Sequence, residues 1–409
     1  MNGQPANRNQ FFNIAVIVAA LGYFVDIYDL LMFSIIRVES LADLGLSPEG
    51  IKNEGLFIIN IQMLGLLVGG ILWGVLADKK GRLSVLFASI ILYSLGNIAN
   101  GFVTSTHQYA LVRFISGVGL AGELGAGITL VSELLPKEKR GVGTSLVAGI
   151  GLSGAVVAFL IKENFHWRTC YFIGGGLGFL LLLLRIKVAE SGMFESARKA
   201  DVQKGNFWMF FNNRKRFFKY LWSILIGLPT WFVIGILISF SREFGVEMQV
   251  QGTVDPGKAV MVAYVGLSLG DIASGLVSQW LRSRKKTLYI FYGITIAAMC
   301  WFFNLQGAGT TELYWACAVL GFGIGFWAIF VTVAAEQFGT NLRATAATTV
   351  PNMVRGSLNL VTILFTALQS RHGLVGSGMI TAVVCMLIAI IAAARSEETF
   401  GKDLNYMET

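Results

Sequence analysis

Charged side chains are scarce in this chain of 409 residues. Asp, Glu, Lys and Arg make up 14% of it, whereas they make up about 25% of a soluble domain. Hydrophobic residues account for 55%, more than a soluble fold could cover with polar groups, so an ordinary cytosolic enzyme is excluded, as is a disordered or fibrous chain. A membrane protein remains. At roughly 20 apolar residues for each helical span, the length fits about ten to twelve spans.

Residues that bind metals or act as nucleophiles are also few. The four cysteines fall in apolar runs with no Cys-x-x-Cys or Cys/His spacing, which predicts small buried side chains and neither a metal site nor a cofactor. The three histidines, His107, His166 and His372, lie at predicted outer loops or span ends, so none is placed to carry a proton across the membrane. The sequence has no nucleophile or metal cluster that would indicate a membrane-bound enzyme.

Continuous apolar runs predict an all-α membrane protein, because a transmembrane β-barrel would show short segments of alternating polarity instead. The N-terminus is polar up to Gln10 and has no cleavable signal pattern, so the first span is expected to act as its own insertion signal. The runs predict about twelve helices, at residues 11–36, 54–76, 83–103, 107–132, 142–162, 167–187, 218–240, 258–281, 287–305, 312–335, 344–369 and 373–394.

The longest polar interruption divides these runs six and six. It spans residues 188–217 and is rich in Lys and Arg, which predicts a cytoplasmic linker. The predicted domains are an N-terminal six-helix half at 1–187, the linker at 188–217, a C-terminal six-helix half at 218–394 and a cytoplasmic tail at 395–409.

Sequence landmarks repeat between the two halves. Such a repeat predicts two pseudo-symmetric halves with a site between them. Three pairs of segments match at offsets of 203 or 204 residues: Glu133–Arg140 with Glu336–Arg343, Gly117–Gly119 with Gly321–Gly323, and Asp78–Arg82 with Arg282–Lys286.

One of these segments also fits the G-x-G-x-x-G pattern of dinucleotide-binding proteins. Gly117–Gly122 lies inside an apolar run, however, and no strand precedes it. A nucleotide site of this type needs a strand before the glycines and a helix after them. Small residues at this spacing in a membrane helix instead predict close packing against a neighbouring helix.

Basic residues are unevenly distributed. The net charge of +8 could indicate a nucleic-acid partner, but if the N-terminus is cytoplasmic, 23 of the 32 Lys and Arg residues fall on the cytoplasmic side and 7 on the outer side. Arg113 and Arg355 remain inside the membrane. An excess of positive charge in cytoplasmic loops follows the positive-inside rule. It predicts both termini in the cytoplasm, a bacterial inner membrane as the location, and the lipid bilayer rather than nucleic acid as a partner.

Several motifs match a known transporter family. Residues Gly74–Arg82 resemble the G-x-x-x-D-[RK]-x-G-R signature of the major facilitator superfamily, and Arg113–Gly119 is similar to its sugar-porter and organic-ion branch. Residues Phe24–Leu30 resemble the first helix of phosphate:proton and aromatic-acid:proton symporters, and Gly122-Glu123 resembles the fourth helix of metabolite:proton symporters. The resemblance extends over nearly the whole chain and implies the major facilitator fold.

Ionisable residues at membrane depth are the candidates for proton coupling. Placing one such side chain at the centre of a membrane helix costs about 2.5–3.5 kcal/mol on insertion scales, so it is expected to face a cavity or a partner. In the symporters that the chain resembles, a matching Asp and Arg form the proton-coupling pair. The resemblance assigns this role to Asp26 and Arg113, with Asp29 or Glu123 as the next candidates. Burial favours the neutral acid and a nearby guanidinium favours the carboxylate, so movement of the arginine would load or release a proton. A static ion pair between two helices is the alternative.

Contacts to the substrate are expected mainly in the C-terminal half. Pro229 should kink the seventh span and expose aromatic side chains, and a buried arginine in the eleventh span needs an anion, an acid or a carbonyl as its partner. For the tryptophans, packing against lipid or within the core is the alternative. The predicted cavity residues are Asp271, Trp231, Trp327, Asn352 and Arg355.

Charged residues at the predicted cytoplasmic ends of spans are expected to form a gate. The family resemblance implies salt bridges that hold the inner side closed and break when it opens. The alternative is that these charges only set the orientation of the chain. The gate residues are Asp78, Arg82, Glu133, Arg140, Glu336 and Arg343.

Together these features predict a monomeric secondary active transporter with a small molecule and a proton as its partners. Buried Arg113 and Arg355 favour an organic anion, although four buried acids leave a neutral or cationic substrate open. Alternating access with proton symport is the preferred mechanism, and an uncoupled facilitator or exporter is the first alternative. A transporter-like nutrient sensor is the second alternative, which the short tail after Ala394 disfavours.

Overall fold

The computed structural model describes residues 14–80, 82–123, 140–190, 207–402 and 407–408. Helices lie at every predicted span within these ranges. The first half contains α1 (Ile14–Asp43), α2 (Pro48–Lys80), α3 (Arg82–Asn100), α4 (Thr106–Leu120), α5 (Arg140–Asn164) and α6 (Trp167–Glu190). The second half contains α7 (Arg214–Ile226), α8 (Leu228–Phe232), α9 (Ser241–Glu247), α10 (Pro256–Leu281), α11 (Arg284–Phe303), α12 (Thr310–Gly323), α13 (Trp327–Glu336) and α14 (Thr340–Arg395).

Seven helical segments of the described chain are long and apolar enough to cross a membrane. The predicted spans 344–369 and 373–394 are two helical segments within α14, and they are separated by a kink at Gly373, where φ is 67°. This left-handed backbone suits glycine, which has no Cβ to clash there. The described parts of the remaining predicted spans lie on α1, α3, α4 and α5, and residues 124–132 of the predicted span 107–132 lie outside the described residues. This architecture confirms the prediction of an all-α chain with many spans.

Close helix packing explains the glycine pattern in α4. A Cβ on Gly117 would collide with the backbone carbonyl of Gln62 on α2, and a Cβ on Gly321 would collide with that of Ala263 on α10. The same kind of contact therefore occurs at matching positions of the two halves. The prediction that Gly117–Gly122 serves helix packing is confirmed.

Two spans of the second half are broken near their middle. The seventh changes from α7 to α8 at Gly227, with Pro229 in the first turn of α8, and continues as a π-helix over Val233–Ile238. The tenth ends α12 at Gly323 and resumes as α13 at Trp327. Broken helices free backbone groups and bring side chains to the centre of a bundle.

The halves meet mainly where α2 packs on α14 and α5 packs on α10. We name the two ends of the bundle by their connections. The tail end is where α10 passes to α11 and residues 396–402 lie, and the hairpin end is where α1 passes to α2 and α3 passes to α4. The functional side chains below lie either midway between these ends or at the hairpin end.

Candidate functional site

A small cavity lies between the two halves at the level of the helix breaks. Its volume is about 10 Å³, roughly the space that one water molecule needs. An organic substrate has no room there, so the structure is a closed form at this level. Among the described lining residues, Arg355 is the only one with a positively charged side chain, and four of the ten are aromatic. The lining residues are Tyr23, Ile27, Leu152, Thr230, Trp231, Ile234, Tyr264, Leu267, Trp327 and Arg355.

Arg355 on α14 faces Asp26 on α1. Its Nη2 lies 3.7 Å from Oδ2 of Asp26, and both side chains are buried. Neither carboxylate oxygen of Asp26 accepts a hydrogen bond within the described part of the chain. Arg355 donates one long bond of 3.4 Å to Oδ1 of Asn352, and its guanidinium lies 5.7 Å from the ring centre of Trp231. This ion pair joins the two halves. Among the described residues, Asp26 accepts no hydrogen bond and Arg355 donates only the long one to Asn352.

Arg113 on α4 pairs with Asp29, not with Asp26. Its Nη1 donates to Oδ1 of Asp29 at 3.0 Å, its Nη2 to the backbone carbonyl of Asp29 at 3.0 Å, and its Nε to Oε1 of Gln62 at 3.3 Å. The expected pair of Asp26 and Arg113 is therefore wrong. These residues all belong to the first half, so the well-bonded pair ties α1 to α4 and does not connect the halves.

Glu123 has a partner that the sequence did not indicate. Arg185 on α6 donates to both of its carboxylate oxygens, at 3.0 and 2.9 Å, and both side chains are buried. A bidentate pair between an arginine and a carboxylate is strong and geometrically fixed. Like Arg113 with Asp29, this pair lies within one half. Glu123 is thus held in place by Arg185, and it is absent from the residues that line the cavity.

Asp271 supports the break in the tenth span. Its Oδ1 accepts a hydrogen bond of 3.0 Å from the backbone N–H of Ala328, at the start of α13. The first N–H groups of a helix have no partner within the helix, and a carboxylate satisfies them well. Asp271 is absent from the residues that line the cavity, so its observed contact is structural.

Asn352 connects the two halves beside Arg355. Its amide donates to the backbone carbonyl of Ala121 at the end of α4, at 2.9 Å, and to that of Thr348 within α14, at 3.1 Å. Three of the predicted cavity residues line the cavity, namely Trp231, Trp327 and Arg355. Asn352 is not in the lining but accepts the hydrogen bond from Arg355.

The predicted gate is described only in part. Glu133 and the side chains of Asp78, Arg82 and Arg140 lie outside the described residues.

Glu336 accepts from Arg284 at 3.4 Å and from Thr399 at 2.7 Å, so its described contacts are with the second half and the tail. The tail segment is attached at the same place, because the carboxylate of Glu398 accepts from the backbone N–H groups of Arg284 and Lys285 at the start of α11.

The sequence does not indicate two of the buried pairs, because each contains an arginine near the end of a span. The charge pattern alone places Arg185 with the cytoplasmic charges and Arg37 with the outer ones, yet both are buried. Arg37 pairs with Glu243 at the hairpin end. A hydropathy pattern assigns a charged residue near a span end to the adjoining loop. Whether its side chain is buried depends on the neighbouring helices. Tyr23 and Tyr264 were also missed, since nothing distinguishes them from packed core residues.

Comparison with known proteins gives a consistent result. The family model described as Major Facilitator Superfamily matches residues 19–362. The chain is 27% identical to a Bacillus subtilis protein named for niacin and nicotinamide transport, over 99% of this chain and 98% of that protein. It is also 27% identical to a niacin transporter of Acinetobacter baylyi, over 95% and 94% of the two chains. The solved structure of a proton:xylose symporter of the same superfamily superposes with a TM-score of 0.70 at 17% identity, covering 98% of both chains.

Proposed function

The chain belongs to the Major Facilitator Superfamily and is a multi-pass membrane transporter of small molecules rather than an enzyme, and from this premise we propose that it carries an aromatic or heteroaromatic carboxylate by alternating access with proton symport. The single observation that carries the proposal is Arg355, a buried guanidinium on a cavity walled by aromatic rings. The niacin named for two relatives is a pyridine carboxylate and has this chemistry.

Recognition of the carboxylate is assigned to Arg355. A guanidinium binds a carboxylate through two parallel hydrogen bonds, and Arg355 makes only one long bond among the described residues. Trp231, Trp327, Tyr23 and Tyr264 supply flat apolar surfaces for a ring. The cavity must widen to admit the substrate, and the broken helices α8 and α13, which carry the two tryptophans, are the elements that would move.

Proton coupling follows from the charge balance at the Arg355 site. The empty site holds one carboxylate, Asp26, opposite one guanidinium. A substrate carboxylate bound to Arg355 would leave Asp26 as a second buried negative charge, which is costly unless Asp26 takes up a proton. The substrate anion and the proton then enter together, and the site stays neutral. Asp29 is less suited to this role because Arg113 already binds its carboxylate within the same half.

The proposal predicts accumulation of aromatic carboxylates in proteoliposomes that contain the purified protein. Uptake of nicotinate and benzoate should exceed equilibrium when the outside is more acidic than the inside, and nicotinamide, which lacks the charge, should not be concentrated. Equal uptake with and without the proton gradient would favour an uncoupled facilitator. Transport of nicotinamide in preference to nicotinate would contradict the role of Arg355.

The tail end is proposed to face the cytoplasm, as the charge distribution predicts. A cysteine in place of Met407 should then react with a membrane-impermeant maleimide only after the cells are permeabilised, whereas a cysteine in place of Asn53 at the hairpin end should react in intact cells. Both positions are exposed, and the exposed native Cys300 is first replaced with Ser. The reverse labelling pattern would show the opposite orientation.

A further inference from the structure

A second ion pair joins the two halves at the hairpin end. Nη2 of Arg37 on α1 donates to both carboxylate oxygens of Glu243 on α9, at 2.7 and 2.8 Å. Arg37 is fully buried, and the side chain of Glu243 is 15% exposed. The guanidinium also lies 4.2 Å from the ring centre of Phe240. Charge-assisted hydrogen bonds of this length are strong when they are shielded from water.

Further contacts between the halves surround this pair. Arg37 donates to the backbone carbonyl of Ser239 at 3.2 Å, and the hydroxyl of Ser239 donates to that of Ser34 at 3.2 Å. The first half fixes Arg37 independently, because its Nη1 donates to the carbonyl of Ile51 at 3.2 Å. Arg37 would therefore stay in place on its own half if Glu243 moved away.

The pair lies between two cavities. On one side, Glu243 lines an open vestibule of about 490 Å³ together with Val38, Ile51 and Arg242. On the other side, Ile27 lines the central cavity, ten residues before Arg37 on the same helix, or about 15 Å along its axis. A molecule that passes from the vestibule to Arg355 must cross the level of this pair.

We propose that the Arg37–Glu243 ion pair is the lock that holds the hairpin end closed, and that its opening connects the vestibule with the central cavity. The pairs Arg113–Asp29 and Arg185–Glu123 join helices of one half and can stay intact while the halves move. Arg37–Glu243 joins the two halves and must break whenever they separate at this end. Glu243, being partly exposed, can be hydrated from the vestibule once it leaves Arg37. This inference rests on alternating access in the proposed function, but not on the identity of the substrate.

Distance measurements on the purified protein without substrate test the lock. Spin labels at the exposed positions Glu39 on α1 and Val246 on α9, in a variant with Cys300→Ser, report the separation of the halves at this end. Glu243→Gln should increase the population with long distances about tenfold, because truncation of a buried charge pair removes a large part of its stabilisation. Arg37→Lys keeps the charge but loses the planar guanidinium that bonds the carbonyl of Ile51 and the carboxylate of Glu243 through different nitrogens, and it should shift the population in the same direction.

Two controls make the result specific. Lys162 and Asp255 form another pair between the halves at the same end, at 2.8 Å, but with side chains that are 18% and 33% exposed. Lys162→Ala should change the distances less, since neither member of this pair is fully buried, as Arg37 is, and a pair nearer to solvent contributes less. The exchanged pair Arg37→Glu with Glu243→Arg should restore the closed population at least in part. Unchanged distances in folded Glu243→Gln and Arg37→Lys would overturn the proposal, whereas a failure to transport carboxylates would not alter these distances.

Discussion

Arg355→Lys should raise the KM for nicotinate uptake at least thirtyfold, because truncation of one partner of a buried charge pair costs about 2 kcal/mol or more, which is roughly thirtyfold in affinity. Lysine keeps the positive charge opposite Asp26, so the fold should survive, but it cannot form two parallel bonds to a carboxylate. The measurement is the initial rate of uptake into proteoliposomes as a function of nicotinate concentration.

Arg185→Lys is the matched control for this substitution. Arg185 is also buried and also faces a carboxylate, that of Glu123, but it does not line the cavity. Its replacement should lower the melting temperature without a comparable rise in KM. Equal changes of KM in the two variants would mean that Arg355 acts through the stability of the fold and not through contact with the substrate.

Architecture was the most predictable part of this molecule. Long apolar runs predicted the helices, because the bilayer sets their length and composition. The repeat of Gly117 as Gly321 predicted similar packing in the two halves, and both glycines contact a neighbouring backbone. Pro229 predicted the break of the seventh span. These features depend on the local sequence and on the lipid bilayer, which surrounds every span. They can therefore be predicted without knowledge of the tertiary contacts.

The pairing of the buried charges was less predictable. Asp26 and Asp29 are three residues apart, so their side chains point in directions about 60° apart around the helix. That spacing places both on one side of α1, but it does not decide which of them meets Arg113. In the structure the second half supplies Arg355 to Asp26, and Arg113 therefore pairs with Asp29. A contact between residues more than 300 positions apart depends on how the two halves pack.

Asp26→Asn should abolish the accumulation of nicotinate in response to a proton gradient, while exchange of labelled for unlabelled nicotinate continues. Accumulation requires a group that gains and loses a proton in each cycle, whereas exchange requires only that the loaded carrier reorients. Asparagine is nearly isosteric with aspartate and removes the charge. Since removal of one partner of a buried pair can cost about 3–5 kcal/mol, the variant must first elute as a folded protein in size-exclusion chromatography.

Asp29→Asn separates this role from a merely structural one. Asp29 is bonded to Arg113 within the first half, so its loss should destabilise the contact of α1 with α4 and reduce accumulation and exchange together. Asp26 joins the halves without accepting a hydrogen bond within the described chain, so its loss should affect accumulation alone. If folded Asp26→Asn still accumulates nicotinate and Asp29→Asn retains only exchange, the proton is carried by Asp29, and the bond between Asp29 and Arg113 must then open in each transport cycle.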